Sequence, residues 1–167
     1  MTLEKKMSLI FKLDEENWMK HANPWSVWSR NTVLPALVIA FWSRIWLGWW
    51  AVLPIILAVI WTYLNPRIFS KPESTDNWAS KAVLGERIWS NRDKISIPNH
   101  HKKAPRILTN TAGIGALFVI VGVYILDIWP LLVGFSLVYC CKLWFLDRMV
   151  WLFEDMKDLE EYGKWLY

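Results

Sequence analysis

Two stretches of this chain are too apolar to live in water. Residues 45–66 hold no charge between Arg44 and Arg67, and residues 107–126 hold none between Arg106 and Asp127. Each approaches the roughly 20 residues that a helix needs to cross the hydrocarbon core of a bilayer. Two shorter apolar runs, 31–43 and 128–141, stand beside them. Four apolar runs in this order predict two transmembrane hairpins.

The basic residues fix an orientation. Of the 19 Lys and Arg residues, all but Arg44 and Lys142 lie before the first run, between the second and third, or after the fourth. The turn around Asp127, Trp129 and Pro130 has none. Basic residues stay on the cytoplasmic side, so both termini and the central loop are expected there. Lys142 lies inside the fourth run, where its stem lets it snorkel toward the basic end. The first run is short: the uncharged stretch between Arg30 and Arg44 covers about 20 Å of helix. That length fits a re-entrant segment as well as a span, and the longer interval from Trp25 to Trp46 favours the span. Pro35 is placed to bend it, and Trp46, Leu47 and Gly48 to turn the chain into the second helix. There is no cleavable leader pattern in Met1–Lys20, so insertion is expected to be driven by the helices themselves.

Tryptophan is the compositional outlier, with 14 copies. They flank the apolar runs, as expected of residues that anchor at the membrane interface. Cys140 and Cys141 are neighbours on one helix and read as small packing residues. In the third run Ala112 and Ala116 form a small-x-x-x-small pair, expected to let helices approach closely.

The predicted fold is therefore all-α. It is an integral membrane four-helix bundle of two transmembrane hairpins joined by a cytoplasmic loop with an amphipathic helix. As a single membrane domain it divides into a surface helix (1–22), hairpin 1 (25–64), the loop (65–106), hairpin 2 (107–150) and a C-terminal helix extension (151–167). Leu3, Met7, Ile10, Phe11 and Trp18 make the apolar stripe of the surface helix over residues 3–18. In the loop, Ser74, Thr75 and Asp76 offer N-caps for a helix over Asn77–Asn91, apolar on more than one side and so wedged between headgroups and protein. Pro98 and Pro105 frame an extended stretch with His100 and His101.

Ionisable groups gather at the cytoplasmic mouth, where such groups are often functional. The catalytic candidates are His21, Glu86, His100 and His101. Arg30, Arg67 and Arg87 are the candidates for holding an anion or headgroup, and Trp78 and Trp89 for contacting a partner. A metal or acid–base site could draw on His21, Glu86, His100, His101, Glu154 and Asp155, because imidazole and carboxylate suit zinc or iron. No H-E-x-x-H spacing supports it, so no cofactor is predicted and metal stays an alternative. Phosphate-loop and nucleophile-elbow motifs are missing from the sequence. Topology already accounts for the net charge of +4, so no nucleic-acid partner is expected.

Several segments are similar to those of a family of small prokaryotic membrane proteins of unknown function. They are His21-Ala22-Asn23-Pro24-Trp25-Ser26-Val27-Trp28-Ser29-Arg30, Trp42-Ser43-Arg44, Gly48-Trp49-Trp50 and Asn65-Pro66-Arg67. The longest runs Ser74-Thr75-Asp76-Asn77-Trp78-Ala79-Ser80-Lys81-Ala82-Val83-Leu84-Gly85-Glu86-Arg87, and His100-His101 completes the set. The resemblance implies a membrane location and a prokaryotic source, and no activity. The expected function is that of a non-catalytic accessory subunit or scaffold of a membrane complex, in the inner (plasma) membrane, in contact with lipid and with other subunits or its own copies. The alternative is a membrane-interface enzyme acting on a lipid or headgroup at the mouth.

Overall fold

The computed structural model describes residues 15–167, and all its regular elements are helical. The surface helix expected over 3–18 lies mostly outside the described residues. Helix α1 (Glu15–His21) leads through Asn23 into α2 (Pro24–Ser29), a 3-10 turn (Arg30–Thr32) and α3 (Val33–Trp42). A short α4 (Arg44–Leu47) and a 3-10 turn (Gly48–Ala51) reverse the chain into α5 (Val52–Ile68). Then come α6 (Trp78–Ser90), a 3-10 turn (Asn99–His101), α7 (Lys103–Ile125), α8 (Ile128–Met156) and α9 (Glu160–Gly163). Three stretches are long and apolar enough to cross a membrane: Pro24–Ile68, Asn99–Ile125 and Ile128–Met156.

The first of these is not straight. Gly48 sits at φ 52°, ψ −126°, a conformation that a side chain would strain. It folds α5 back along α3, as the Trp46-Leu47-Gly48 signal predicts. Pro35 has no N–H to give the carbonyl of Asn31 four residues earlier. The Tyr139 hydroxyl of α8 donates to that carbonyl instead, which is how a proline is tolerated where water is scarce.

Helices α7 and α8 pack along their whole lengths. A Cβ on Gly115 would lie 2.8 Å from Leu137 Cβ, one on Gly122 2.7 Å from Leu131 N, and one on Gly134 2.6 Å from Val119 N. The close face is thus Gly115, Gly122 and Gly134. The Ala112–Ala116 pair does not form it, since Ala116 is exposed. In contrast, among the described residues α5 has one long neighbour. It packs along α3, touches α1 and α2 at its Ile68 end, and makes no more than marginal contact with α7 or α8. Only Ala58, Asn65 and Pro66 of its residues are buried.

Away from the apolar stretches, α6 lies on the last turns of α8. Its N-cap is Asn77, whose Oδ1 accepts from Ser80 N at 2.9 Å; the cap is not Ser74, Thr75 or Asp76. Leu84, Ile88 and Trp89 pack with Met149, Leu152, Phe153 and Met156 in the largest core cluster. Burying side chains of this size contributes roughly 1.5–3 kcal/mol each. The helix expected to wedge among headgroups is instead a core element, which explains its apolar residues on more than one side. The chain beyond Met156 does not extend α8. It turns back through α9, and Thr75 N donates to Tyr167 O at 2.8 Å while Thr75 Oγ1 donates to Trp165 O at 2.7 Å. Tyr162, Trp165 and Leu166 thereby reach the core that α6 and α8 share.

Gly85 is where α6 touches α8 most closely: an added Cβ would sit 1.9 Å from the backbone oxygen of Met149. Gly85→Ala is expected to destabilise the fold by about 3 kcal/mol. Gly113→Ala, with nothing within 4 Å of its Cβ, should be neutral or stabilise by up to about 1 kcal/mol. Thermal unfolding of the two purified variants, followed by tryptophan fluorescence, separates these outcomes.

Candidate functional site

The polar residues gather at one end of the apolar helices, and the structure sorts them into three groups. The first is internal. Asn23 caps α2, its Oδ1 accepting from Trp25 N at 2.9 Å, while its Nδ2 donates to Ser70 O at 2.9 Å. The fold-back of α2 brings Arg30 onto His21: the guanidinium donates to His21 O at 3.2 Å and to His21 Nε2. From α5, Asn65 Nδ2 donates to Ser29 Oγ at 2.7 Å. From α8, Lys142 Nζ donates to Asn31 Oδ1 at 2.9 Å. Glu86 of α6 acts electrostatically on both Arg30 and Lys142. Ser80 Oγ ties α6 to this group by donating to Ala22 O at 2.7 Å, and the Trp28 and Trp78 rings stack at 5.7 Å.

This centre is basic and buried. His21 Nδ1, Ser26 Oγ and Asn65 Oδ1 are buried without a hydrogen-bond partner. Burial, and then the positive charges of Arg30, Arg67 and Lys142, hold the His21 imidazole well below its ordinary value. It is neutral at pH 7. Because Nε2 accepts from Arg30, the ring proton sits on Nδ1 and points where nothing accepts it.

The second group is a chain of ion pairs between α6 and the end of α8. Lys81 Nζ lies 2.5 Å from Asp76 and 2.7 Å from Glu154, and Glu154 also holds Lys157 at 2.6 Å. The hydrogen bonds it donates to Asp76 and then Glu154 raise the Lys81 ammonium above its ordinary value. Such half-exposed pairs are worth about 1 kcal/mol or less apiece; their role is to fix the docking of α6.

The third group was not visible as a unit in the sequence. His100 Nε2 and His101 Nε2 both donate to the same oxygen, Asp155 Oδ2, at 3.0 and 2.8 Å. His101 is buried and His100 exposed. The stretch between Pro98 and Pro105 is not extended. A 3-10 turn at Asn99–His101 leads into α7 at Lys103, and this turn sets the two imidazoles side by side with centroids 4.2 Å apart.

The residues named from sequence therefore do not share one mouth. His21, Glu86 and Arg30 belong to the internal centre, and His100 and His101 to the group on Asp155. Of the three arginines, Arg30 and Arg67 both act on His21, Arg67 with its guanidinium 3.8 Å over the Tyr63 ring, while Arg87 lies over the Trp165 ring at 4.1 Å. Trp89 is 1% exposed in the core, so a partner cannot reach it, and Trp78 is partly covered by Trp28. Sequence reasoning missed Asn31, Tyr139 and Ser80. The signal for the first two was Pro35, whose missing N–H leaves the Asn31 carbonyl in need of a donor.

Taken together, these features define an all-helical chain with apolar stretches long enough to cross a membrane and an interlocked polar network at one end. The chain belongs to the family of unknown function DUF6653, whose profile matches residues 2–165. No curated protein and no solved structure matches it.

A neutral His21 gives the fold a pH dependence. The unfolded chain takes up a proton near the ordinary value of about 6.5, and the folded chain does so only at lower pH. The folded state is thus fully favoured above about 6.5 and loses stability as pH falls toward the depressed value. His21→Gln keeps an acceptor for Arg30 and has no proton to gain. Its unfolding midpoint between pH 7 and pH 5 is expected to fall less than that of the wild type.

Proposed function

We propose that this chain is a multi-pass protein of the plasma membrane, with four helical passes in two hairpins and both ends in the cytoplasm. In this reading it serves as a non-catalytic accessory subunit of a membrane complex. The placement of Lys and Arg supports the orientation. The exposed aromatics at the opposite turns, where Trp46, Trp49, Trp50, Tyr124 and Trp129 are all at least 70% exposed, support a membrane interface there. The observation that carries the subunit reading is the isolation of α5. A helix inside a closed bundle has neighbours on two sides, and among the described residues α5 has one. Leu53, Leu57 and Ile60 stand outward on a helix with only three buried residues, a flank free for a transmembrane helix of another protein or of a second copy. The polar network favours the same reading, since its side chains bind elements of this chain to one another.

Photoreactive residues test this in native membranes. At Leu57 or Ile60 a discrete protein–protein cross-link is expected. At Leu132 or Val133, on the exposed face of α8, lipid adducts should dominate. Lipid adducts alone from α5 would overturn the subunit reading. A membrane-impermeant thiol reagent applied to intact cells should label Trp49→Cys and Trp129→Cys, and not a cysteine in place of Ser96. The reverse pattern would overturn the orientation.

One observation favours a second reading, an enzyme working on a lipid headgroup. The buried and unpartnered His21 Nδ1, Ser26 Oγ and Asn65 Oδ1 lie in the same group as Arg30 and Lys142, where an anionic group would find donors. If this holds, Glu86→Gln changes the lipid composition of the host membrane as much as deletion of the protein does. Unchanged lipids in both strains would exclude it.

A further inference from the structure

We infer that His100, His101 and Asp155 form a binding site for a divalent transition-metal ion of the zinc class, held by three protein ligands and solvent. The site goes beyond the subunit reading and does not depend on it.

The argument begins with direction. Adjacent residues on an extended strand point to opposite faces, and adjacent residues on a helix diverge. Here the 3-10 turn, closed by His101 N donating to Pro98 O at 3.1 Å and Lys102 N to Asn99 O at 3.1 Å, aims two consecutive imidazoles at one point. The third group comes from α8, 54 residues further along the chain from His101. One potential ligand atom from each of the three lies within 4.8 Å of the others.

The spacing of the hydrogen-bonded triad lies close to that of a metal-bound set. Zinc binds imidazole nitrogen at about 2.0–2.1 Å and carboxylate oxygen at about 2.0–2.2 Å in a tetrahedron, which places neighbouring ligand atoms about 3.3 Å apart. The nitrogens now stand 3.0 and 2.8 Å from the carboxylate oxygen, so a few tenths of an ångström of opening would admit an ion. Two imidazole N–H groups on a single oxygen leave both rings presenting the nitrogen that a metal would use. Binding replaces those two N–H bonds with nitrogen lone pairs, each ring proton moving to Nδ1.

The surroundings suit entry and retention. The His101 side chain is 4% exposed and fixes the position of the site, while those of His100 and Asp155, at 67% and 49%, leave it open to solvent. The neighbouring Lys102 ammonium is engaged elsewhere, donating to Asn99 Oδ1 at 2.8 Å. Two nitrogens and one oxygen without a thiolate match the borderline divalent ions. A bound ion would clip the entry of α7 to the last turn of α8 and close the open end of that hairpin.

The experiment is a titration of the full-length, chelator-treated protein in detergent with Zn²⁺ against a chromophoric chelator, with Co²⁺ absorption as a report on the ligand field. The expected result is one equivalent bound by the wild type and by His21→Ala. His100→Ala and Asp155→Asn, a surface change and a near-isosteric one, should each weaken binding at least about tenfold. Zn²⁺ should raise the unfolding midpoint of the wild type and not that of His100→Ala. Failure of the wild type to take up one equivalent would overturn the proposal, as would uptake that His100→Ala and Asp155→Asn leave unchanged; the group would then be a hydrogen-bonded triad only. Neither result bears on the cross-linking of α5.

Discussion

The backbone contact of Gly85 with Met149 organises everything at the polar end. Without a side chain at residue 85, α6 settles onto α8 until main-chain atoms meet. That depth lets Leu84, Ile88 and Trp89 disappear among Met149, Leu152 and Phe153. It also brings Lys81 to Glu154, and it carries Glu86 to where Arg30 and Lys142 feel its charge. A helix riding one methyl group higher would lose the core and the ion pairs together, because a packed interior transmits displacement and does not absorb it.

The two ends of the molecule are built on different principles. Along the apolar stretches the helices α7 and α8 meet through glycines, with little polar chemistry between them, as suits a medium where apolar surface has no reason to hide. At the polar end, four side chains reach into the backbone of distant segments: Asn23 to Ser70, Ser80 to Ala22, Tyr139 to Asn31, Thr75 to Trp165. The first region can tolerate neighbours sliding against it. The second cannot, because displacement would break these bonds together and leave the buried carbonyl of Ala22 unmet.

How far the sequence could be read depended on the range of each interaction. The apolar runs, the Gly48 reversal and the span of α6 are local signals, and they were legible to within a few residues. The role of α6 was misjudged because apolar residues on more than one face fit two surroundings, a lipid interface and a protein core, and only α8 and the returning C-terminus decide between them. The tight face of α7 was misassigned for a similar reason. Gly115 and Gly122 are selected by the position of Gly134 on the next helix, which a pattern within one helix does not contain. His100 and His101 were noticed as a pair, while Asp155, more than fifty positions away, was one of three carboxylates named with them, and nothing in the sequence selects it over Glu86 and Glu154. The extended conformation expected between two prolines also hid the 3-10 turn that aims the rings.

One contact at the far end bears on how such a chain is made. Arg44 reaches across to α7, donating to Val123 O at 2.6 Å and Tyr124 O at 2.9 Å. A cation there suits the carbonyl end of a helix. These acceptors are synthesised some eighty residues after the arginine that needs them. In the nascent first half the guanidinium has the nearby carbonyl of Phe41 to donate to, and translation through residue 124 supplies the other two. Arg44 thus acts as a late stitch, fastening the early half to a helix that is made after it.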